Sequence, residues 1–457
     1  MQQRETTGMT AGERRATFGL ASVYGFRMLG LFLILPVFAL FAEGLPDATP
    51  FLTGLAVGIY GLTQALLQVP FGLLSDRVGR KPVILGGLLL FAIGSVIAAS
   101  SHDIWLVILG RAIQGSGAIA AAVMALAADL TREENRTKAM ATIGLTIGAS
   151  FMLAMLIGPI LARLIGVSGI FWLTALLALV GIALVALVVP TPQTSRVHRD
   201  AEPVPAMFRR VLSNPDLLRL DFGIFSLHLI LTALFLAVPL ILRDLGVEPV
   251  RHTMVYLPVM IGAVVAMVPF VIYAERHAQM KPVFVGAVGL LLVAQMTLGA
   301  LSGHFWGFVI ALWLFFTAFN LLEATLPSLV SKVAPVDAKG TAMGVYSTSQ
   351  FAGAFCGGLV GGWVHQHFGQ AAVFTAGALV AAAWLLAASG MTRPGRYTSR
   401  LVDIAALRSQ VDLVERLRQV PGVVEVVVVA DEGVAYLKVD RDLLDDGALD
   451  AIVARPA

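Results

Sequence analysis

The chain has 457 residues, of which 58% are hydrophobic and 13% charged, with a formal net charge of +3. A soluble globular domain carries about 25% charged residues, so this composition excludes an ordinary soluble protein and makes the lipid bilayer the main solvent. The single cysteine, Cys356, excludes an intramolecular disulfide.

A helix needs roughly 20 mostly apolar residues to cross a bilayer. In chain order such stretches fall at 18–42, 51–74, 82–100, 104–128, 138–162 and 167–189, then at 217–242, 252–274, 282–301, 305–330, 340–364 and 370–390. The predicted fold class is an all-α membrane protein with twelve transmembrane helices in two six-helix repeats, followed by a small C-terminal α+β domain. The expected boundaries are a tail at 1–17, a first half at 18–189, a loop at 190–216, a second half at 217–390, a linker at 391–400 and a soluble domain at 401–457. No small-residue cleavage site follows a short apolar core in the first span, which therefore reads as an uncleaved anchor.

Lys and Arg in the loops set orientation, because they resist translocation. One side of the bundle collects twenty of them, including Arg77, Arg80, Lys81, Arg132 and Arg210, against Arg163, Arg243 and Arg251 on the other. The rule predicts cytoplasmic termini and a cytoplasmic 190–216 loop. The two halves also echo each other in text. VPFGLLSDRVGRKPV at 69–83 aligns with VPFVIYAERHAQMKPV at 268–283 through Val-Pro-Phe, an acid followed by Arg, and Lys-Pro-Val, with one inserted residue. Both copies follow the second span of their six, so the repeat is parallel, about an axis along the membrane normal.

These residues resemble the major facilitator superfamily of secondary transporters. Gly72, Asp76, Arg77, Gly79, Arg80 and Lys81 match its signature loop between spans two and three, and Arg111, Gln114, Gly115 and Gly117 match a second signature on span four. Gly158 and Pro159 resemble the antiporter motif of drug/proton exchangers, although Ala162 and Arg163 stand where a glycine pair is usual. With its added C-terminal domain, the chain looks closest to the YajR-type group of bacterial inner-membrane transporters.

The resemblance implies a conformational latch on the cytoplasmic side. Gly72 would admit the eleventh span, whose Gly353, Gly357 and Gly361 recur every four residues. Asp76 would face the amino end of that helix, which carries partial positive charge, and Arg80 would reach Asp129. All these contacts would form only when the halves close there. The competing reading is that the charges only determine topology.

Ionisable groups at bilayer depth are costly unless paired or hydrated. Arg27, Arg111, His228 and Glu323 lie within spans one, four, seven and ten, the spans that line the central cavity in the fold the resemblance implies. Glu323 and His228 are candidate proton carriers, singly or together. Arg27 and Arg111 keep their protons and would tune a carboxylate or bind an anionic group. Phe26, Tyr60, Phe235, Tyr256 and Phe319 are candidate cavity aromatics.

After Gly390 the text turns polar, and the stretch 401–457 is acidic, so neither nucleic acid nor an anionic leaflet is an expected partner. Its pattern reads strand around 400–405, helix, strand, turn, strand, helix, and resembles a ferredoxin-like module of the heavy-metal-associated type. Ala405, Ala406 and Leu407 replace the metal-holding Cys-x-x-Cys, and the usual last strand is missing or very short before Ala457. No metal or cofactor is therefore expected. The domain could bind a ligand, steady the gate or mediate self-association. The sequence contains neither a nucleophile–base pair nor a phosphate loop, so no enzyme activity is expected. The leading reading is a proton-coupled exporter of a small amphipathic compound working by alternating access. The alternatives are a transporter-derived sensor signalling through the C-terminal domain, or a symporter or uniporter.

Overall fold

The computed structural model describes residues 8–192, 204–392, 397–404, 412–429, 433–440 and 443–453. Parts of the expected tail, of the 190–216 loop and of the linker lie outside these, as do Ala405, Ala406, Leu407 and the residues leading to Ala457.

Local chemistry starts and stops the helices. Helix α1 (Ala11–Phe32) opens on a capping box in which the Thr10 hydroxyl accepts from the Glu13 amide while the Glu13 carboxylate accepts from the Thr10 amide. The first span then breaks around Pro36, which has no amide proton to continue the ladder, and resumes as α2 (Phe38–Ala42). Thr49 caps α3 (Pro50–Val78), with proline in the first turn, where a missing amide is harmless. Helix α4 (Arg80–Ala99) follows directly. The fourth span is split into α5 (Ile104–Ser116) and α6 (Ala120–Asp129) around Gly117. The fifth and sixth spans run as one element, α7 (Glu133–Leu187), turned at Gly166 with φ 71°. After the short α8 (Phe208–Leu212) come α9 (Pro215–Asp244), α10 (His252–Arg276), α11 (Met280–Ala300), α12 (Phe305–Val333), α13 (Lys339–Phe368) and α14 (Gln370–Ser389).

Nine stretches among the described residues are long and apolar enough to cross a bilayer, and one of them, Lys138–Leu187, is long enough for two crossings. The α1–α2 pair and α13 complete the two sets of six. They are the more polar spans, the first through Glu13, Arg14, Arg15 and Arg27 and the second through its Gly, Ser and Thr content.

Backbone geometry repeats with the text. Gly79 (φ 105°) ends α3, and its counterpart Ala278 (φ 54°) ends α10, so the second copy keeps a left-handed turn that a side chain disfavours. The later turns match as well, at Gly166 (φ 71°) and Gly369 (φ 84°).

Among the described residues, close contacts join the halves toward one end. At the end away from the termini, Glu43 pairs with Arg243, the Phe51 amide donates to Gln366 Oε1 (3.2 Å), and Thr253 Oγ1 donates to the Leu156 carbonyl (2.9 Å). There α3 and α13 touch backbone to backbone. A Cβ on Gly58 would lie 2.8 Å from the Phe355 carbonyl oxygen, and one on Gly54 would overlap the Gly358 carbonyl. Below this contact the rings of Phe151, Phe235, Phe316 and Phe319 join the halves, with centroids 5.8–6.4 Å apart across the seam. At the other end, rich in Lys and Arg, the signature-loop residues Arg80 and Lys81 bond to Ser75, Asp76, Asp129 and Val189 of the first half.

The soluble domain comprises β1 (Tyr397–Asp403), α15 (Leu413–Arg418), β2 (Val423–Val429), β3 (Val434–Asp440) and α16 (Asp446–Val453). Its first strand begins inside the expected linker. The antiparallel sheet has order β1-β3-β2, and period-two alternation gives it two apolar faces. Ala435, Leu437 and Val439 face the helices together with Val402, Leu413 and Leu417. Val429 and Tyr436 face the other way and bury Val336, in the connection between α12 and α13. Polar contacts fix this docking: Arg210 Nη1 donates to Asp337 (2.9 Å), its Nη2 donates to Glu425 (3.0 Å), and Lys438 Nζ donates to the Ala334 carbonyl (3.4 Å).

Candidate transport site

Two polar clusters face each other across the bundle. In the first half, Arg27 on α1 and Arg111 on α5 are both 1% exposed. Arg27 Nη2 donates to Gln64 Oε1 (2.5 Å), while its Nε and Nη1 have no partner. Arg111 donates through Nη1 to Gln114 Oε1 (2.9 Å) and through Nε to the Ala56 carbonyl (3.4 Å). The Tyr60 ring lies between the two guanidiniums, with centroid distances of 5.8 and 4.9 Å. Gln114 Nε2 in turn donates to Ser95 Oγ (2.6 Å), which donates to the Phe91 carbonyl. Arginine stays charged, and neither guanidinium has a carboxylate partner in this cluster, so the first half carries a buried positive region.

The second half carries the acids. His228 Nδ1 donates to the Ile224 carbonyl (3.3 Å), which leaves Nε2 as the acceptor of the Gln350 amide (2.8 Å). The same Gln350 nitrogen lies 3.4 Å from Glu323 Oε1, so one side chain of α13 joins the two candidate proton carriers of α9 and α12. Glu323 Oε2 has no partner. His228, Glu323 and Gln350 are all half-buried, whereas Tyr60, Phe235, Tyr256 and Phe319 are buried. Of the five candidate cavity aromatics, only Phe26 retains partial exposure. Phe319 packs against the His228 ring at 6.1 Å and against Phe151 of the other half at 5.8 Å, so aromatic packing shuts the site on the side away from the termini.

In this structure the signature loop makes its contacts within the first half. A Cβ on Gly72 would meet only Ala121 of α6, at 3.1 Å, and not the eleventh span. Gly353, Gly357 and Gly361 pack against Phe225, Leu229 and Ala233 of α9, within their own half. Spans two and eleven do pair, but through the adjacent row, Gly358 and Gly362, against Gly54 at the opposite end. Neighbouring positions on a helix are about 100° apart, so α13 serves two partners with two glycine rows.

Asp76 pairs with Arg80, and Arg80 also reaches Asp129 (Nε to Oδ2, 3.4 Å) and Ser75 (2.9 Å). These contacts all lie within the first half and involve no residue of the second. Lys81 donates to the Val189 carbonyl (2.8 Å), tying the loop to the end of the sixth span, while Arg77 is exposed. Gly158 fits against the break in the first span, where a Cβ would lie 2.9 Å from Pro36 and 3.0 Å from the Leu33 carbonyl; Pro159 follows inside α7.

Sequence reasoning missed Glu13. It accepts from the Arg132 amide (2.8 Å), Arg132 Nε (3.0 Å), Asn135 (3.3 Å) and the Thr10 amide (2.7 Å). Burial pushes its carboxyl up, but the hydrogen bonds led by Arg132 outweigh that and hold it at about 2. Gln64, Gln350 and Asp221 were also missed.

Two six-helix repeats enclosing two polar clusters of opposite charge define a membrane transporter. Residues 20–273 and 220–423 match the description of the Major Facilitator Superfamily, and the chain belongs to that family. It is 52% identical to the inner membrane transport protein YajR of Escherichia coli (strain K12) over 433 residues, covering 94% of this chain and 95% of that one. An uncharacterized transporter of Buchnera aphidicola (subsp. Acyrthosiphon pisum) is 35% identical, over 76% of this chain and 89% of its own length. Among solved structures, a bacterial homolog to the human lysosomal transporter Spinster, in an inward-facing and occupied conformation, shares the fold with a TM-score of 0.67 at 15% identity. That likeness covers 84% of this chain and 98% of the other. The family consists of transporters, not enzymes.

Proposed function

We propose that the protein is a proton-coupled antiporter of the inner membrane that exports a small amphipathic compound by alternating access. The observation that carries this reading is the linkage of Glu323 to His228 through Gln350, with one carboxylate oxygen of Glu323 left free (3.4 and 2.8 Å links). A carboxyl in an apolar wall with a free oxygen can take a proton from one side and release it to the other. Arg27 and Arg111, without carboxylate partners of their own, supply the field that favours its ionised form or receive an anionic group of the substrate.

The end rich in Lys and Arg is the cytoplasmic one under the positive-inside rule, which puts both termini there; the close packing of the halves at the far end supports reading the present state as inward-open. The signature loop then works as a latch in the other state: Gly72 and Asp76 become available to the second half when the cytoplasmic end closes. Arg80 and Asp129 keep the loop in shape throughout. Docking of the soluble domain on the α12–α13 connection favours a role in steadying that gate, with ligand binding or self-association as further possibilities.

The test is transport by the purified protein in proteoliposomes, using a substrate found by an uptake screen with and without a pH gradient. Glu323→Gln should abolish pH-driven accumulation and leave exchange at equal pH largely intact. Undiminished accumulation in that variant would remove Glu323 from coupling.

A further inference from the structure

The second half holds a second buried carboxylate that the coupling pair does not use. Asp221 of α9 is 6% exposed, and its Oδ2 has no partner. Tyr346 of α13 is 4% exposed, its hydroxyl is also without a partner, and it lies within electrostatic reach of both Asp221 and Glu323. Depth orders these groups. At about 1.5 Å per residue, Asp221 and Tyr346 lie about 9–10 Å along their helices from the end bearing the termini, Glu323 and Gln350 about 15–16 Å, and His228 about 20 Å. Three helices thus stack an Asp–Tyr layer, a Glu–Gln layer and a His layer along one line.

Other groups around Asp221 are already engaged or are not titratable. Asp216 holds Arg219 on the same helix (2.7 Å), Arg210 of α8 is held by Asp337 and Glu425, and Asp76 of α3 by Arg80. Arg209 is exposed, and α2 and α14 contain no titratable residue. Lys339 at the start of α13 donates to Ser331 (3.1 Å), and Tyr346 is the group of another helix within electrostatic reach of both Asp221 and Glu323, with His228 deeper on the helix of Asp221.

We infer that Asp221 is a second proton station, which receives the proton of Glu323 by way of Tyr346 and passes it to the open end of the bundle. The transfer breaks the O–H bond of protonated Glu323 and forms one on Asp221. The Tyr346 hydroxyl donates toward Asp221 as it accepts from Glu323, directly or through cavity water, and is left unchanged, with no net electron transfer. An unpartnered carboxylate and an unpartnered hydroxyl buried at one level of two packed helices would be a cost without return in a merely structural role. This inference rests on the coupling role proposed for Glu323.

Infrared difference spectra of the purified full-length protein, recorded as pH is stepped, test it without any substrate. Two buried carboxyl signals should titrate, one lost in Glu323→Gln and the other in Asp221→Asn. Asp221→Glu should restore a signal, which separates loss of the carboxyl from loss of the fold. Tyr346→Phe should keep both signals and slow proton equilibration between them by about a hundredfold, the lower range for a positioned proton-transfer group. If Glu323→Gln removes its signal while Asp221→Asn removes none, the relay is overturned and the coupling reading survives. If Asp221→Asn removes a signal and Glu323→Gln none, the relay and the coupling role of Glu323 fall together.

Discussion

Gly58→Leu should convert the closed end of the bundle into an open one. Even the first added carbon would lie 2.8 Å from the Phe355 carbonyl oxygen and 3.2 Å from the Phe355 Cα, both backbone atoms of a packed helix that cannot turn aside. Overpacking of this kind costs about 1–3 kcal/mol. The cost falls on the present state alone, because α3 and α13 separate there when that end opens. The ratio of the two states should therefore shift by about 5–150-fold. Gly72→Leu is the counterpart: its Cβ would lie 3.1 Å from one neighbour, the Ala121 methyl, so it strains this state less than Gly58→Leu does and obstructs closure at the other end. The single native cysteine simplifies the assay. In a Cys356→Ala background, Val57→Cys lies in the closed interface, 7% exposed. Its labelling by a membrane-impermeant maleimide should rise in proportion to the open population with Gly58→Leu and fall with Gly72→Leu. Unchanged labelling in a folded, membrane-inserted Gly58→Leu protein would refute the backbone contact as a gate.

Removing the Glu13 carboxylate should loosen the start of the first span: Glu13→Gln loses charged hydrogen bonds to Arg132 and Asn135 and should cost about 1–3 kcal/mol at neutral pH. Because folding depresses this carboxyl to about 2, its contribution is complete above the unfolded carboxylate value and is lost as pH falls toward 2. A thermal-unfolding series over that window should slope in the wild type and flatten in the variant. Val336→Asp places a charge under the docked sheet and should free the soluble domain, seen as faster cleavage around residues 391–396 by a protease. Arg210→Ala should act in the same direction but less, since half-exposed ion pairs contribute about 0–1 kcal/mol each. Ala278→Gly should raise the melting temperature by relieving a left-handed alanine worth about 1 kcal/mol, whereas Gly79→Ala should lower it.

The spans, the repeat and the soluble domain were legible because each leaves a long signal: apolar runs of membrane length, a doubled sentence of text, and alternation along two strands. Breaks inside spans were less so. Pro36 sits in an otherwise unbroken apolar run, and several other spans here tolerate a proline inside the helix. Glycine spacing on α13 was visible, but two rows one residue apart have the same period, and sequence cannot say which row meets which neighbour. Glu323, His228, Arg27 and Arg111 stood out as ionisable groups in lipid. Their neutral connectors Gln64, Gln350 and Tyr346 carry no charge to draw attention, and Gln114 was visible only as part of a signature. Asp221 lies so near the start of its span that it does not stand out as an acid in lipid, although its seven-residue spacing from His228 puts both on one face. Glu13 did have a signal, the Thr-x-x-Glu text of a capping box.

Proton-driven alternation is tested most directly by spin-label distances across both ends of the bundle, measured in the same protein at high and low pH. Lengthening at one end should accompany shortening at the other as pH changes, and Glu323→Gln should hold both distances constant over the same range. Distances that ignore pH in the wild type, or that respond to it equally in Glu323→Gln, would contradict the account.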